Sequence, residues 1–270
     1  MKNQTGGRSG QGVNTIVGAS NPRLPRHEME RLRRVAAVDH LPELIGRRLA
    51  GEPLQYLEGS VQFGPVEVLV DHRALIPRPE TELLWEQAIA ALGEGQGPGT
   101  VIVDLCTGSG ALALALKHHY PSARVIATDV SEEALALAAE NSSRLNLPIE
   151  LYEGDLFEAI PQNLADRIDL LVANPPYVAE ADWDGLPIDV RHEPPVAFVA
   201  GPSGWEVIDR IAEDAHWWLG TGGWIFCEIG DTQGAHALTV FGRWLDTDLR
   251  QDHTGRDRVL VGRKGARCCV

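Results

Sequence analysis

Val101-Ile-Val-Asp-Leu-Cys-Thr-Gly-Ser-Gly110 decides how the rest of the chain is read. Val101 to Leu105 is a short apolar run, preceded by the loop-forming Gly93-Glu-Gly-Gln-Gly-Pro-Gly99 and followed by two closely spaced glycines. A short apolar run bounded in this way reads as a strand buried on both faces. Ala111 to His119 behind it reads as a helix, so the segment is a strand, a glycine turn and a helix. This is the opening unit of a parallel sheet.

Working outward, Val125 to Thr128 reads as the next strand and Glu132 to Leu145 as the next helix, opened by Ser131 as N-cap. Strands follow at Ile149 to Tyr152, Asp169 to Ala173 and Trp224 to Glu228, with a helix near Trp205 to Leu219. Arg258 to Val261 reads as an antiparallel edge strand. Upstream, residues 53–76 carry short alternating runs split by Gly64-Pro65, which predict a linking hairpin. Residues 23–52 predict a small helical appendage in which Pro42 breaks one helix from the next. Residues 1–22 are rich in Gly, Ser, Asn and Gln and are read as a mobile leader, and residues 265–270 as a mobile tail. The main domain then spans 77–264.

The totals narrow the function. At 270 residues and 44% hydrophobic, the chain suits one substantial α/β core with an appendage. Its formal charge of -14 opposes attraction to a phosphate backbone, so direct nucleic-acid binding is not expected. Arg31, Arg33, Arg34, Arg47 and Arg48 read as a solvated helix face. The four cysteines, Cys106, Cys227, Cys268 and Cys269, lack both zinc spacing and disulfide-scaffold density, which fits a reducing cytoplasm. The nine histidines show no spacing that demands a metal, and no metal is expected. No stretch approaches the roughly 20 apolar residues a membrane helix needs. Trp217-Trp218 predicts one ring in the core and one at its edge.

The glycine turn lies at the carboxyl end of the first strand, where open parallel sheets bind ligands. Gly108 and Gly110 allow close backbone approach, and the helix behind them offers N–H groups to an anion. The carboxylate of S-adenosylmethionine suits those groups, and Asp104 can attract its ammonium. Asp129, ending the second strand, is placed to accept from ribose hydroxyls, and Asp155 to reach adenine. Each has a plainer alternative: Gly108, Gly110 and Ala113 also satisfy the dinucleotide pattern, Asp129 can cap a helix, and Asp155 can be a loop carboxylate.

Asn174-Pro-Pro-Tyr177 follows an apolar strand and so falls on the same rim. A planar NH2 is a poor nucleophile because its lone pair is delocalised, and methylating it requires holding it in line with the donor. The Asn174 side-chain oxygen and the Pro175 carbonyl can each accept one of its N–H groups. Pro175 and Pro176 stiffen the turn, and Tyr177 offers a flat face for stacking. Taken alone, the tetrapeptide is also an ordinary proline-rich turn.

Together with Leu75-Ile-Pro-Arg-Pro-Glu-Thr-Glu82, Asp189-Val-Arg-His-Glu-Pro194, Phe226-Cys-Glu-Ile-Gly230 and Gly255-Arg-Asp-Arg-Val259, these two motifs resemble the peptide chain release factor glutamine N5-methyltransferases over roughly residues 50 to 264. The resemblance implies a Rossmann-like class I methyltransferase fold: a mostly parallel seven-stranded sheet with an antiparallel C-terminal strand. It implies S-adenosylmethionine as cofactor, S-adenosylhomocysteine as product, and methylation of a Gly-Gly-Gln glutamine by a monomer acting on a release factor. Asp104, Cys106, Thr107, Gly108, Ser109, Gly110, Asp129, Asp155, Leu156 and Asn174 would line the cofactor. Asn174, Pro175, Pro176 and Tyr177 would hold the substrate amide, with Arg78 and Glu80 at the mouth. Arg78, Glu80 and Glu82 also read as a capped helix start, and Arg191 and Glu193 as an ordinary ion pair.

Two departures stand out. Cys106 replaces the first glycine of the family's D-x-G-x-G-x-G loop, and at positive φ it would cost on the order of 1 kcal/mol. The helical region that grips the release factor in the family is shortened here. A nucleic-acid base methyltransferase would share the Asn-Pro-Pro-Tyr pocket, a nicotinamide oxidoreductase the glycine turn, and a non-catalytic module the fold.

Overall fold

A computed structural model describes residues 24–37 and 39–265. The leader predicted over 1–22, and the tail predicted over 265–270 apart from Gly265, lie outside them. The elements are α1 (Arg26–Val35), α2 (Leu41–Leu49), α3 (Leu54–Glu58), β1 (Ser60–Phe63), β2 (Val66–Leu69), α4 (Pro79–Leu92), β3 (Val101–Leu105), α5 (Ala111–His119), β4 (Arg124–Asp129), α6 (Glu132–Leu145), β5 (Glu150–Glu153), β6 (Ile168–Ala173), β7 (Val178–Ala179), β8 (Val199–Gly201), α7 (Glu206–Trp218), β9 (Leu219–Glu228), α8 (Gly234–Phe241), β10 (Asp246–Gln251) and β11 (Asp257–Arg263).

Seven strands form the main sheet in the order β10-β11-β9-β6-β3-β4-β5. β3 pairs in parallel with both β4 and β6, while β11 runs antiparallel between β9 and β10. β11 is therefore the antiparallel strand that was expected, but it is not the edge. The edge is β10, whose sequence Asp246-Thr-Asp-Leu-Arg-Gln251 is too polar to read as a strand. An edge strand has one side in water and can tolerate that composition.

Alternation along β3 sends Val103 and Leu105 into one apolar layer, with α7 and α8, and Ile102 into the other, with α4 and α5. Burial on both faces is what makes the central strands read as continuous apolar runs. After β5 the chain crosses back to β6 on the other side of β3, so the carboxyl ends of β3 and β6 meet where the winding reverses. That is where an open α/β sheet leaves a crevice.

The hairpin β1–β2 turns at Gly64-Pro65 as expected. Inside the predicted hairpin segment, Leu54 to Glu58 forms α3 instead and closes a small cluster with Leu32 of α1 and Leu41, Leu44 and Ile45 of α2. Pro42 sits in the first turn of α2, where its missing N–H costs nothing, so the break falls just before it. The arginines of this region are not simply solvated: Arg31 pairs with Glu58 and Arg48 with Glu28, fastening the helices to one another. Trp218 is buried against Phe157, and Trp217 is exposed. Among the described residues, no helix is long and apolar enough to cross a membrane.

Candidate active site

The crevice is a cavity with about 1150 Å³ of open space including its mouth. Asp104, Cys106, Thr107, Gly108, Ser109, Asp129, Asp155, Leu156, Asn174 and Pro176 all line it, although they come from four segments of the chain. Gly110 and Pro175 lie between lining residues, Tyr177 follows Pro176, and Arg78 and Glu80 lie between Pro77 and Thr81.

Local hydrogen bonds hold the loop after β3. Thr107 donates its hydroxyl to Asp104 Oδ2 at 2.6 Å, and its backbone N–H bonds to the Thr128 carbonyl of β4. The Gly108 N–H donates to Asp129 Oδ2 at 2.8 Å, while Asp129 Oδ1 accepts from Ser131, the N-cap of α6. Asp129 therefore braces the loop and the helix start while still facing the cavity. Gly110, at φ 80°, belongs to packing: a Cβ there would sit 3.0 Å from Ala138 Cβ, so glycine lets α5 approach α6. Behind the loop, buried Asn141 donates to the Ser109 carbonyl and exchanges two hydrogen bonds with Leu69, joining the loop to the hairpin.

Cys106 adopts φ 58° and Leu156 φ 50°. Non-glycine residues in this region are strained, and both lie on the cavity wall. Burial, reinforced by the nearby charge of Asp129, pushes the Cys106 thiol well up, so it is not an activated nucleophile.

The charges of the cavity are acidic. Asp104 is 1% exposed, and burial pushes its carboxyl up to about 7 against the bonds from Thr107 and the Ala113 N–H. Asp129 is raised for the same reason. Asp155 faces the cavity and pairs with Arg210 at 2.9 Å. The Thr128 hydroxyl is buried without a partner among the described residues, on the cavity wall. Buried acceptors, an orphan hydroxyl and open backbone at Gly108 fit a cationic ligand with polar hydroxyls.

On the other side, Asn174 Nδ2 donates to Thr81 Oγ1 at 3.1 Å. Its amide oxygen is then the end left to accept from a ligand. Thr81 in turn donates to Glu228 Oε2 at 2.7 Å, and the Tyr177 hydroxyl donates to Oε1 at 3.4 Å. The Tyr177 ring is half-buried and packs in part on the core, with its hydroxyl engaged. Gln233 donates to the Tyr177 carbonyl, and the short β7–β8 pairing ties down the chain that follows. Arg78 pairs with buried Glu193, which also accepts from the Ile76 N–H, so Glu193 is the partner of Arg78 rather than of Arg191. This pair holds the 75–82 segment so that Pro77 and Thr81 reach the cavity.

No local sequence signal marks Thr81, Glu228 or Asn141 as part of the site, beyond the carboxylate of Glu228 ending an apolar strand; Thr81 and Glu228 lie inside longer motifs.

The methyltransferase small domain model matches residues 82–186. The release factor glutamine methyltransferase of Xylella fastidiosa (strain 9a5c) is 40% identical over 231 residues, which are 84% of this chain and 82% of that protein. The release factor glutamine methyltransferase of Moorella thermoacetica is 39% identical over 231 residues, covering 84% of this chain and 80% of that protein. Among solved structures, a methyltransferase from Pyrococcus furiosus shares the fold with a TM-score of 0.55 at 19% identity, covering 74% of this chain and 89% of that one.

Proposed function

Because the chain belongs to the release factor glutamine methyltransferase family, we propose that it transfers a methyl group from S-adenosylmethionine to the N5 amide nitrogen of a glutamine in a partner protein, the Gly-Gly-Gln glutamine of a peptide chain release factor. The observation that carries this reading is the orientation of Asn174. Its nitrogen is turned onto Thr81, and its oxygen is left to accept an N–H in a cavity whose other wall is acidic.

When bound, S-adenosylmethionine supplies a sulfonium-activated methyl group and leaves as S-adenosylhomocysteine. Asp104 would hold the cofactor's ammonium, Asp129 and Thr128 the ribose hydroxyls, and Asp155 and Leu156 would border the adenine. Cys106 to Ser109 would form the floor. The substrate NH2 would donate one N–H to Asn174 Oδ1 and the other to the Pro175 carbonyl, which fixes the nitrogen and favours the positive charge that grows on it. Pro176 stiffens this turn. The extra proton on the methylated nitrogen would leave to water, so no general base is required of the chain.

The test is label transfer from S-adenosylmethionine carrying a radioactive methyl group to a purified bacterial release factor, beside the same factor with its Gly-Gly-Gln glutamine replaced. Label on the native factor alone supports the reading. Equal label on both factors moves the target to another residue, and label on neither, with the cofactor bound, moves it to another protein.

A further inference from the structure

Asn174 must present oxygen, not nitrogen, to a substrate NH2, and the two ends of its amide differ only in hydrogen-bond polarity. Thr81 lies between Asn174 and Glu228, accepting from the first and donating to the second. An ionised carboxylate only accepts, so the hydroxyl directs its one proton to Glu228 and offers its lone pairs to the Asn174 NH2. The three side chains come from α4, the loop after β6 and the end of β9. Glu228 is 1% exposed and receives a second bond, from Tyr177.

Resting on the methyl transfer proposed above, we propose that Glu228 and Thr81 are positioning residues that set the polarity of Asn174, so that Oδ1 rather than Nδ2 faces the acceptor nitrogen. A protonated Glu228 removes the constraint. Its hydroxyl can donate to Thr81, whose proton then serves Asn174 Oδ1, and the amide turns its nitrogen toward the substrate. That state cannot hold an NH2 group.

Burial of Glu228 puts this change near neutrality. Burial pushes its carboxyl up to about 7; Glu80 of α4 adds to that, while Thr81, Arg258 of β11 and Tyr177 pull it down. Arg258 keeps a buried Nε without a partner among the described residues, so its charge is not fully taken up by Asp252.

The experiment measures kcat against pH at saturating cofactor and release factor for the wild type, Glu228→Gln, Thr81→Val and Thr81→Ser, with cofactor affinity taken by calorimetry. Gln has one accepting and one donating end where Glu228 accepts at both, so Glu228→Gln removes the requirement that Thr81 donate without changing the shape of the chain. Glu228→Gln and Thr81→Val are each expected to lower kcat about 10²-fold, the usual cost of a misplaced reacting group, with cofactor affinity retained. Thr81→Ser, which keeps the hydroxyl, is expected to stay near wild type. Wild-type kcat should climb with pH and level off above about 7, and Glu228→Gln should lack that climb.

A Glu228→Gln or Thr81→Val enzyme with wild-type kcat overturns the assignment, as does a Thr81→Ser as slow as Thr81→Val. Loss of cofactor binding in Glu228→Gln would show a structural role and also overturn it. A wild-type chain that labels no release factor is a different failure: it removes the proposed function, and this assignment with it.

Discussion

The two walls of the cavity are built in opposite ways. The wall at residues 104–110 is held by backbone and by neighbours a few positions away or on the next strand, as in the Thr107–Asp104 and Gly108–Asp129 bonds. The wall at Asn174 is held by side chains from remote segments: Thr81 is 93 residues from Asn174 and 147 from Glu228. A contiguous loop specifies its own shape and is robust to changes elsewhere in the chain. A wall of converging side chains can be tuned, and it fails when any one member changes.

The largest expected break of this contrast is Asn174→Ala. Removing a group that acts on developing charge costs about 10² to 10³ in kcat, read as initial rate of label transfer. Asn141→Ala tests whether the loop wall is as self-contained as its local bonds suggest. It leaves the Leu69 and Ser109 backbone groups unpaired and should lower unfolding free energy by about 1–3 kcal/mol, measured by urea titration. No loss would mean that the loop needs no brace from α6.

The acidity of the loop wall gives a pH test. Burial raises the Asp104 carboxyl to about 7, so the folded state favours its protonated form. Its contribution to stability is therefore full below the unfolded carboxyl range near 4 and is lost as pH rises through 7. A cofactor ammonium needs the ionised form, so cofactor affinity should strengthen about tenfold per pH unit as pH approaches 7 from below and then level off. Asp104→Asn should abolish that slope, as calorimetry at several pH values would show. The smallest effect is expected for Cys106→Gly. Relief of φ 58° offsets the lost packing, and the net gain should stay within about 1 kcal/mol, or 2–4 °C in Tm, by calorimetric melting.

The same contrast governs what the sequence discloses. β3, α5 and α6 were legible because an apolar run, two glycines and the Ser131 cap are local signals. Asp104, Cys106, Thr107, Gly108, Ser109, Asp129, Asp155 and Leu156 line one cavity for that reason, while the φ of Gly110 lets α5 pack on α6. Asn174 was legible because Asn-Pro-Pro-Tyr is contiguous. Its support was not, since nothing in the neighbourhood of Thr81 or Glu228 states that they meet. For Tyr177 the sequence conveys ring type but not that the ring packs in part on the core. Arg78 was read at the mouth because its partner Glu193 lies far along the chain. β10 escaped notice because an edge strand does not have to be apolar.

Two separable walls, one for the cofactor and one for the acceptor nitrogen, make a further expectation. It is tested most directly by calorimetric titration of S-adenosylmethionine into Asn174→Ala. Wild-type affinity is expected in a chain whose methyl transfer is slowed about 10² to 10³-fold; a weakened affinity would contradict the separation.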